Sequence, residues 1–124
     1  MARTYPTVTV ERNEKGEVIC TAPITAVLTN DPDTSACVNI KEFHYGCVEA
    51  HVGSAITITW HSAMTPDGVS MDAYDATPTA VNMVSTVAAD HQIHAIPTAC
   101  MTYPYLIPCS DQASGDTVTL FFKK

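Results

Sequence analysis

Cysteine and histidine carry the readiest chemistry in this chain, with five of each. Cys37, His44, Cys47 and His51 form a Cys-x6-His-x2-Cys-x3-His series. Thiolates and imidazoles hold zinc when four of them converge on a tetrahedron, and structural sites usually present two through a tight CxxC knuckle. The sequence has no CxxC. In a pair of strands only residues of like parity share a face, and His44 and Cys47 differ in parity. A metal centre is therefore not expected. His91 and His94 lie three apart, which puts them on opposite faces of one strand. Cys20, Cys37, Cys47, Cys100 and Cys109 are odd in number and no secretory leader is read ahead of them, so reduced, partly buried thiols are expected. Any single bridge would join Cys100 to Cys109 or Cys37 to Cys47.

Other reactive constellations are missing. The sequence contains no Gly-x-Ser-x-Gly elbow, HExxH, Walker loop or Rossmann glycine fingerprint. Asp31-Pro32-Asp33 looks like a fragment of a calcium loop but lacks the later glycine and glutamate, so a solvated turn is expected. The remaining acids are scattered, with no close pair of the glycosidase kind. The expectation is a protein that is not an enzyme, with no catalytic, cofactor-binding or metal-binding residues.

Charge narrows the partners. Six basic residues face thirteen acidic ones, for a formal net charge of −7. Arg3, Arg12, Lys15 and Lys41 lie in the first third, Lys123 and Lys124 end the chain, and no Lys or Arg lies between Lys41 and Lys123. Phosphate neutralisation needs clustered cations, so nucleic acid is excluded as a partner, and so is an anionic membrane surface. No apolar run approaches the roughly 18 residues of a membrane span. Charged residues are only 15 % of the chain against 46 % apolar. Much of the surface must then be Thr, Ser, Ala and Asn, a surface suited to packing against copies of itself or a partner.

The elements that would position these side chains read as short strands. Seventeen threonines accompany abundant Val and Ala, and proline or Asp-Gly breaks interrupt every candidate helix. The predicted strands are Thr7–Glu11, Glu17–Thr21 after an Asn13–Gly16 turn, and Ile24–Thr29 closed by Asn30–Asp33. Cys37–His44 and Cys47–His51 are predicted as a strand pair around Tyr45-Gly46. In Ala55–His61, Ile56, Ile58 and Trp60 should face the core, with Thr57 and Thr59 outward. A Thr65–Gly68 turn leads to Val69–Tyr74, a second turn over Asp75–Pro78 to Thr79–Val87, then Gln92–Ile96, a helical turn at Pro97–Cys100, Tyr103–Cys109 and Thr117–Phe122. About half of Tyr103, Tyr105, Phe121 and Phe122 should be core. About ten short strands in 124 residues predict an all-β, single-domain antiparallel β-sandwich spanning 1–124, jelly-roll-like, with 1–10 as a possible N-terminal arm.

From Ile56 onward the order of parts is Ile-Thr-Ile-Thr-Trp, Pro-Asp-Gly, Met-Asp-Ala-Tyr-Asp-Ala-Thr-Pro-Thr-Ala-Val, and Val-Ala-Ala-Asp-His-Gln-Ile-His-Ala-Ile-Pro. Tyr-Pro-Tyr-Leu-Ile-Pro and a closing Thr-Val-Thr-Leu-Phe-Phe-Lys-Lys follow. This resembles the small β-sandwich (jelly-roll) virion proteins of tailed bacteriophages. Met101 to Tyr105 departs from the arginine-rich strand commoner there. The resemblance implies a viral structural protein without catalysis, most of all a capsid decoration or cement protein, with head-spike and tail-accessory roles beside it. It implies a homo-oligomer, trimer or dimer, bound to the major capsid protein or another virion subunit. Arg3, Arg12, Lys15 and Lys41 would then meet an acidic shell. It further implies a protein of the virion, assembled in the host cytoplasm and not secreted. The alternative reading is a carbohydrate-binding β-sandwich module.

Overall fold

A computed structural model describes residues 3–50, 55–75, 83–87, 92–112 and 115–124. Eleven strands stand among the described residues: β1 (Val10–Arg12), β2 (Val18–Thr21), β3 (Ile24–Leu28), β4 (Val38–Asn39), β5 (Tyr45–Ala50), β6 (Ile56–Ala63), β7 (Met71–Asp72), β8 (Val84–Val87), β9 (Gln92–Ala95), β10 (Tyr105–Cys109) and β11 (Asp116–Lys123). A single 3-10 turn, Thr98–Thr102, precedes β10.

The strands form two antiparallel sheets. In the front sheet the order is β1-β2-β11-β5-β9, with β3 pairing the same edge of β11 as β2. In the back sheet it is β4-β10-β6-β7, with β8 continuing along the β7 edge of β6. Taking β2/β3 and β7/β8 as two interrupted strands leaves four positions in each sheet, with β1 added at one front edge. From β3 onward the chain changes sheet at every step outside the β6–β7–β8 run. That is the jelly-roll arrangement.

Alternation builds the core. Ile24, Ala26 and Leu28 of β3, Val48 and Ala50 of β5, and Val118, Leu120 and Phe122 of β11 point inward from the front sheet. Ile56, Ile58 and Trp60 meet them from β6, at 1 % exposure or less, while Thr57 and Thr59 are half-buried outward, as the period-two pattern predicts. The Trp60 indole N–H donates to Ser85 Oγ at 2.9 Å, so the buried ring carries no orphaned donor. Packing also explains a glycine: a Cβ on Gly46 would lie 2.7 Å from Phe122 Cδ1 and 2.9 Å from Ile96 Cδ1.

Two expectations are corrected. Cys37–His44 and Cys47–His51 are not a strand pair, because β4 belongs to the back sheet and β5 to the front. Ile40 and Phe43, both buried, draw the intervening chain across between the sheets, and Gly46 lies inside β5 rather than in a turn. Val69–Tyr74 shortens to the two residues of β7. Of Thr79–Val87, only β8 falls among the described residues; the Asp75–Pro78 turn also lies largely outside them. The Asn13–Gly16 turn is as expected, with Asn13 Oδ1 accepting from the N–H groups of Lys15 and Glu17 and Gly16 at a φ of +82°.

Candidate interaction faces

The outer face of the front sheet is a broad surface with few charges. Pairing registers place its side chains in rows across the strands. Thr25, Thr119, Glu49 and Ile93 form one row, Phe121, Cys47 and Ala95 the next, and Cys20, Lys123 and Tyr45 a third. Val27 beside Thr117 extends the face beyond Thr25. Val27, Tyr45 and Ile93 are 46 %, 55 % and 65 % exposed, high for side chains of this size. Glu11 of β1 continues the third row beside Cys20, so the charges in these rows are Glu49, Lys123 and, at the edge, Glu11, and the Lys123 ammonium lies 6.0 Å above the Tyr45 ring. Desolvating such a face against another protein costs little, since interface centres are depleted in charge.

A second apolar surface sits at the β6–β7 end. Register pairs Ser62 with Met71, so the turn between the strands brings Met64 back beside Val69. Met64, Val69, Met71 and Tyr74 are all exposed. Met64, Met71 and Tyr74 line a cleft of about 220 Å³ with Ser62, Ala63, Asp72 and Tyr103. Tyr103 is held there by its hydroxyl, which donates to the Tyr74 carbonyl at 3.0 Å. Besides the Tyr74 and Tyr103 hydroxyls, the polar groups at hand are the Asp72 carboxylate and the buried Ser62 Oγ, which has no partner among the described residues. Asp72 Oδ1 lies 3.0 Å from His61 Nδ1. Burial holds the His61 imidazole below its ordinary value, and the half-exposed Asp72 pulls the other way without reversing it.

On the outer face of the back sheet Val84 of β8 is exposed at one side, while the other side, around β4 and β10, is covered by the chain itself. Cys37, Ala63, Ile107 and Cys109 form a small buried cluster there. Arg3 ties down the segments over it: its Nε donates to the Pro32 carbonyl at 3.0 Å, its Nη1 to the Pro66 carbonyl at 2.9 Å, and its Nη2 lies 3.5 Å from Asp33 Oδ1. Thr4 pairs in parallel with Ala36, so Arg3 and Thr4 lie against the body. Arg3, at 9 % exposure, is thereby committed internally and removed from the four cations expected to meet a partner. Lys41 is turned over the Tyr105 ring at 4.9 Å, and Arg12 donates to the Gly16 carbonyl.

Among the described residues the groups selected from the sequence do not assemble. Cys37 lies in the back-sheet cluster and Cys47 on the outer face of the front sheet, while His51 and His91 fall outside the described residues. No group of three metal-ligating side chains gathers among the described residues. Burial pushes the Cys100 and Cys109 thiols up to about 12. Asp31 Oδ1 accepts from the Asp33 N–H, which makes Asp31-Pro32-Asp33 a closed turn. Of the four late aromatics Phe122 is core, and Tyr103, Tyr105 and Phe121 are half-buried. Sequence reading missed the cleft. Its signal was available: Met64 and Met71 flank a Thr-Pro-Asp-Gly turn, so a hairpin must bring them together. Among the described residues no helix is long and apolar enough to cross a membrane. No protein-family model, curated protein or solved structure matches this chain.

Proposed function

We propose that this protein is a non-catalytic virion structural subunit of the capsid decoration type, which stabilises a phage shell by binding the major capsid protein. The observation that carries the reading is the group of exposed apolar side chains at the β6–β7 end of a charge-poor jelly roll, with further exposed apolar residues spaced over the front sheet. Val27, Tyr45 and Ile93 stand on the front sheet, and Met64, Val69, Met71 and Tyr74 at the β6–β7 end. Single exposed apolar residues are ordinary, but grouped ones mark contact surfaces. A decorating subunit has two kinds of neighbour, the shell beneath it and the subunits beside it. In this reading the flexible methionine end seats on the shell, where thioethers adapt to an irregular surface. The flat sheet face meets a neighbouring subunit.

A fold of this kind hosts capsid proteins, lectins and cupins alike, so function rests on these surfaces. For the carbohydrate-binding reading the cleft offers the Tyr74 and Tyr103 rings, but its polar groups are few and the Tyr103 hydroxyl is already spent on the Tyr74 carbonyl. The test is co-sedimentation of the purified protein with phage heads assembled without it. The wild-type chain should pellet with heads, and Met64→Glu/Met71→Glu should remain in the supernatant. No pelleting with any shell, together with binding on a glycan array, would overturn the proposal.

A further inference from the structure

We infer that the subunit facing the front sheet is a second copy of this chain, related by a two-fold axis that runs across the strands over the Phe121–Cys47–Ala95 row. The inference deepens the reading of that face as a subunit contact and rests on it. A two-fold contact is self-complementary: each group must find its complement at the position reversed through the axis. Across β11 and β5 the charges meet that condition along the strand direction, while Glu11 lies on β1 at the edge beyond Cys20. Glu49 lies in the row two residues before Phe121 and Lys123 in the row two residues after it. Reversal about the Phe121 row sets the Thr119–Glu49 row of one copy against the Lys123–Tyr45 row of the other. Position across the sheet is kept, so Glu49 on β5 faces the partner's Tyr45, also on β5. The Lys123 ammonium already leans over that ring at 6.0 Å. Each Glu49 thus meets the partner's Lys123, twice per dimer.

Extent supports the same partner. β3, β11, β5 and β9 at about 4.8 Å spacing make the face about 19 Å wide, and the eight residues of β11 make it about 26 Å long. That is on the order of 500 Å² in projection, more over the pleat, against the about 800 Å² per partner of a standard interface. A weak dimer, dissociating in the micromolar range, follows. Two sheets packed face to face close on themselves, so two copies complete the contact where three would not.

Cys47 gives a direct readout, because it lies in the axial row and faces the partner's Cys47 at the usual sheet-to-sheet distance of about 10 Å. Cys20 lies one row off the axis, so two copies of it stand about 13 Å apart along the strands. The experiment is light scattering over about two decades of micromolar concentration around the expected dissociation constant, with short bis-maleimide cross-linking at pH 8. Wild type should dimerise and cross-link through Cys47, and keep doing so in Cys20→Ser. Glu49→Lys and Lys123→Glu should each weaken self-association about tenfold, since each brings like charges together at both ends. An equimolar mixture of the two variants should associate at least as well as wild type, because opposite charges are then restored at both ends; that recovery also shows that both variants fold. A wild-type monomer throughout, a mixture no better than its components, or cross-links through Cys20 alone would overturn the inference. Head binding by a monomer would sink the dimer and leave the decoration reading standing; a dimer that ignores every shell would do the reverse.

Discussion

Thr21 Oγ1 accepts a hydrogen bond from the backbone N–H of Phe122 at 3.2 Å, at the point where the β2–β3 edge is interrupted by Ala22 and Pro23. Proline has no N–H and the strand breaks, so β11 would otherwise have a buried donor facing a gap. Thr21 is fully buried, and its hydroxyl repairs the ladder. Thr21→Val keeps the shape and removes the acceptor. Leaving a buried N–H unpaired costs about 1–3 kcal/mol. The urea midpoint should fall accordingly, with Thr21→Ser close to wild type.

Arg3 joins two loops over the back sheet through the carbonyls of Pro32 and Pro66. Its ion pair with Asp33 is the lesser part, because the Asp33 side chain is 73 % exposed and screened by water. Arg3→Lys should therefore fail to substitute, since one ammonium cannot reproduce the planar fork. We expect Arg3→Ala and Arg3→Lys both to destabilise by about 1–3 kcal/mol, and Asp33→Ala to lower stability by less than about 0.5 kcal/mol, as measured by denaturant unfolding.

Gly46→Ala should destabilise by about 1–3 kcal/mol, the usual cost of forcing an extra methyl into a packed core. The new Cβ would strike Phe122 and Ile96 side chains. Phe122→Leu in the same molecule should recover part of the loss relative to the sum of the two single changes. Additive losses in a double-mutant cycle would show that the close approach is not the reason for the glycine.

His61 titrates below its ordinary value because burial disfavours the imidazolium. In the unfolded chain the ring takes up its proton near pH 6.5, while the folded chain resists. Between those two values the unfolded state binds more protons, so stability rises with pH there. The His61 contribution is whole above about pH 6.5 and is lost as the pH falls toward the folded value. Urea midpoints at pH 7.5 and 5.5 should differ, and His61→Gln should narrow the difference. An unchanged gap would assign the acid sensitivity elsewhere.

Much of the sandwich is legible from residue order alone. Ile56-Thr57-Ile58-Thr59-Trp60 alternates strictly, so its inward face follows from period two. Asn13 to Gly16 carries its own turn chemistry. The crossing at Ile40–Phe43 is not legible, because a strand that changes sheets and one that turns back both end in polar residues and a glycine. Gly46 is there for the ring of Phe122, a contact 76 positions away in sequence that no local window contains. Arg3 illustrates the same limit: an N-terminal cation reads as a surface charge until the Pro32 and Pro66 carbonyls are seen around it. The front-sheet face, by contrast, was foreshadowed by composition, since a chain with 15 % charged residues must expose a face with few charges somewhere.

The most direct test of the central claim is hydroxyl-radical footprinting of the protein bound to phage heads, read by mass spectrometry against the free protein at nanomolar concentration. Met64, Met71 and Tyr74 should be protected by the shell, and Tyr45 and Phe121 by the neighbouring subunit. Unaltered oxidation at Met64 and Met71 on heads that demonstrably carry the protein would contradict the assignment of the methionine end to the shell.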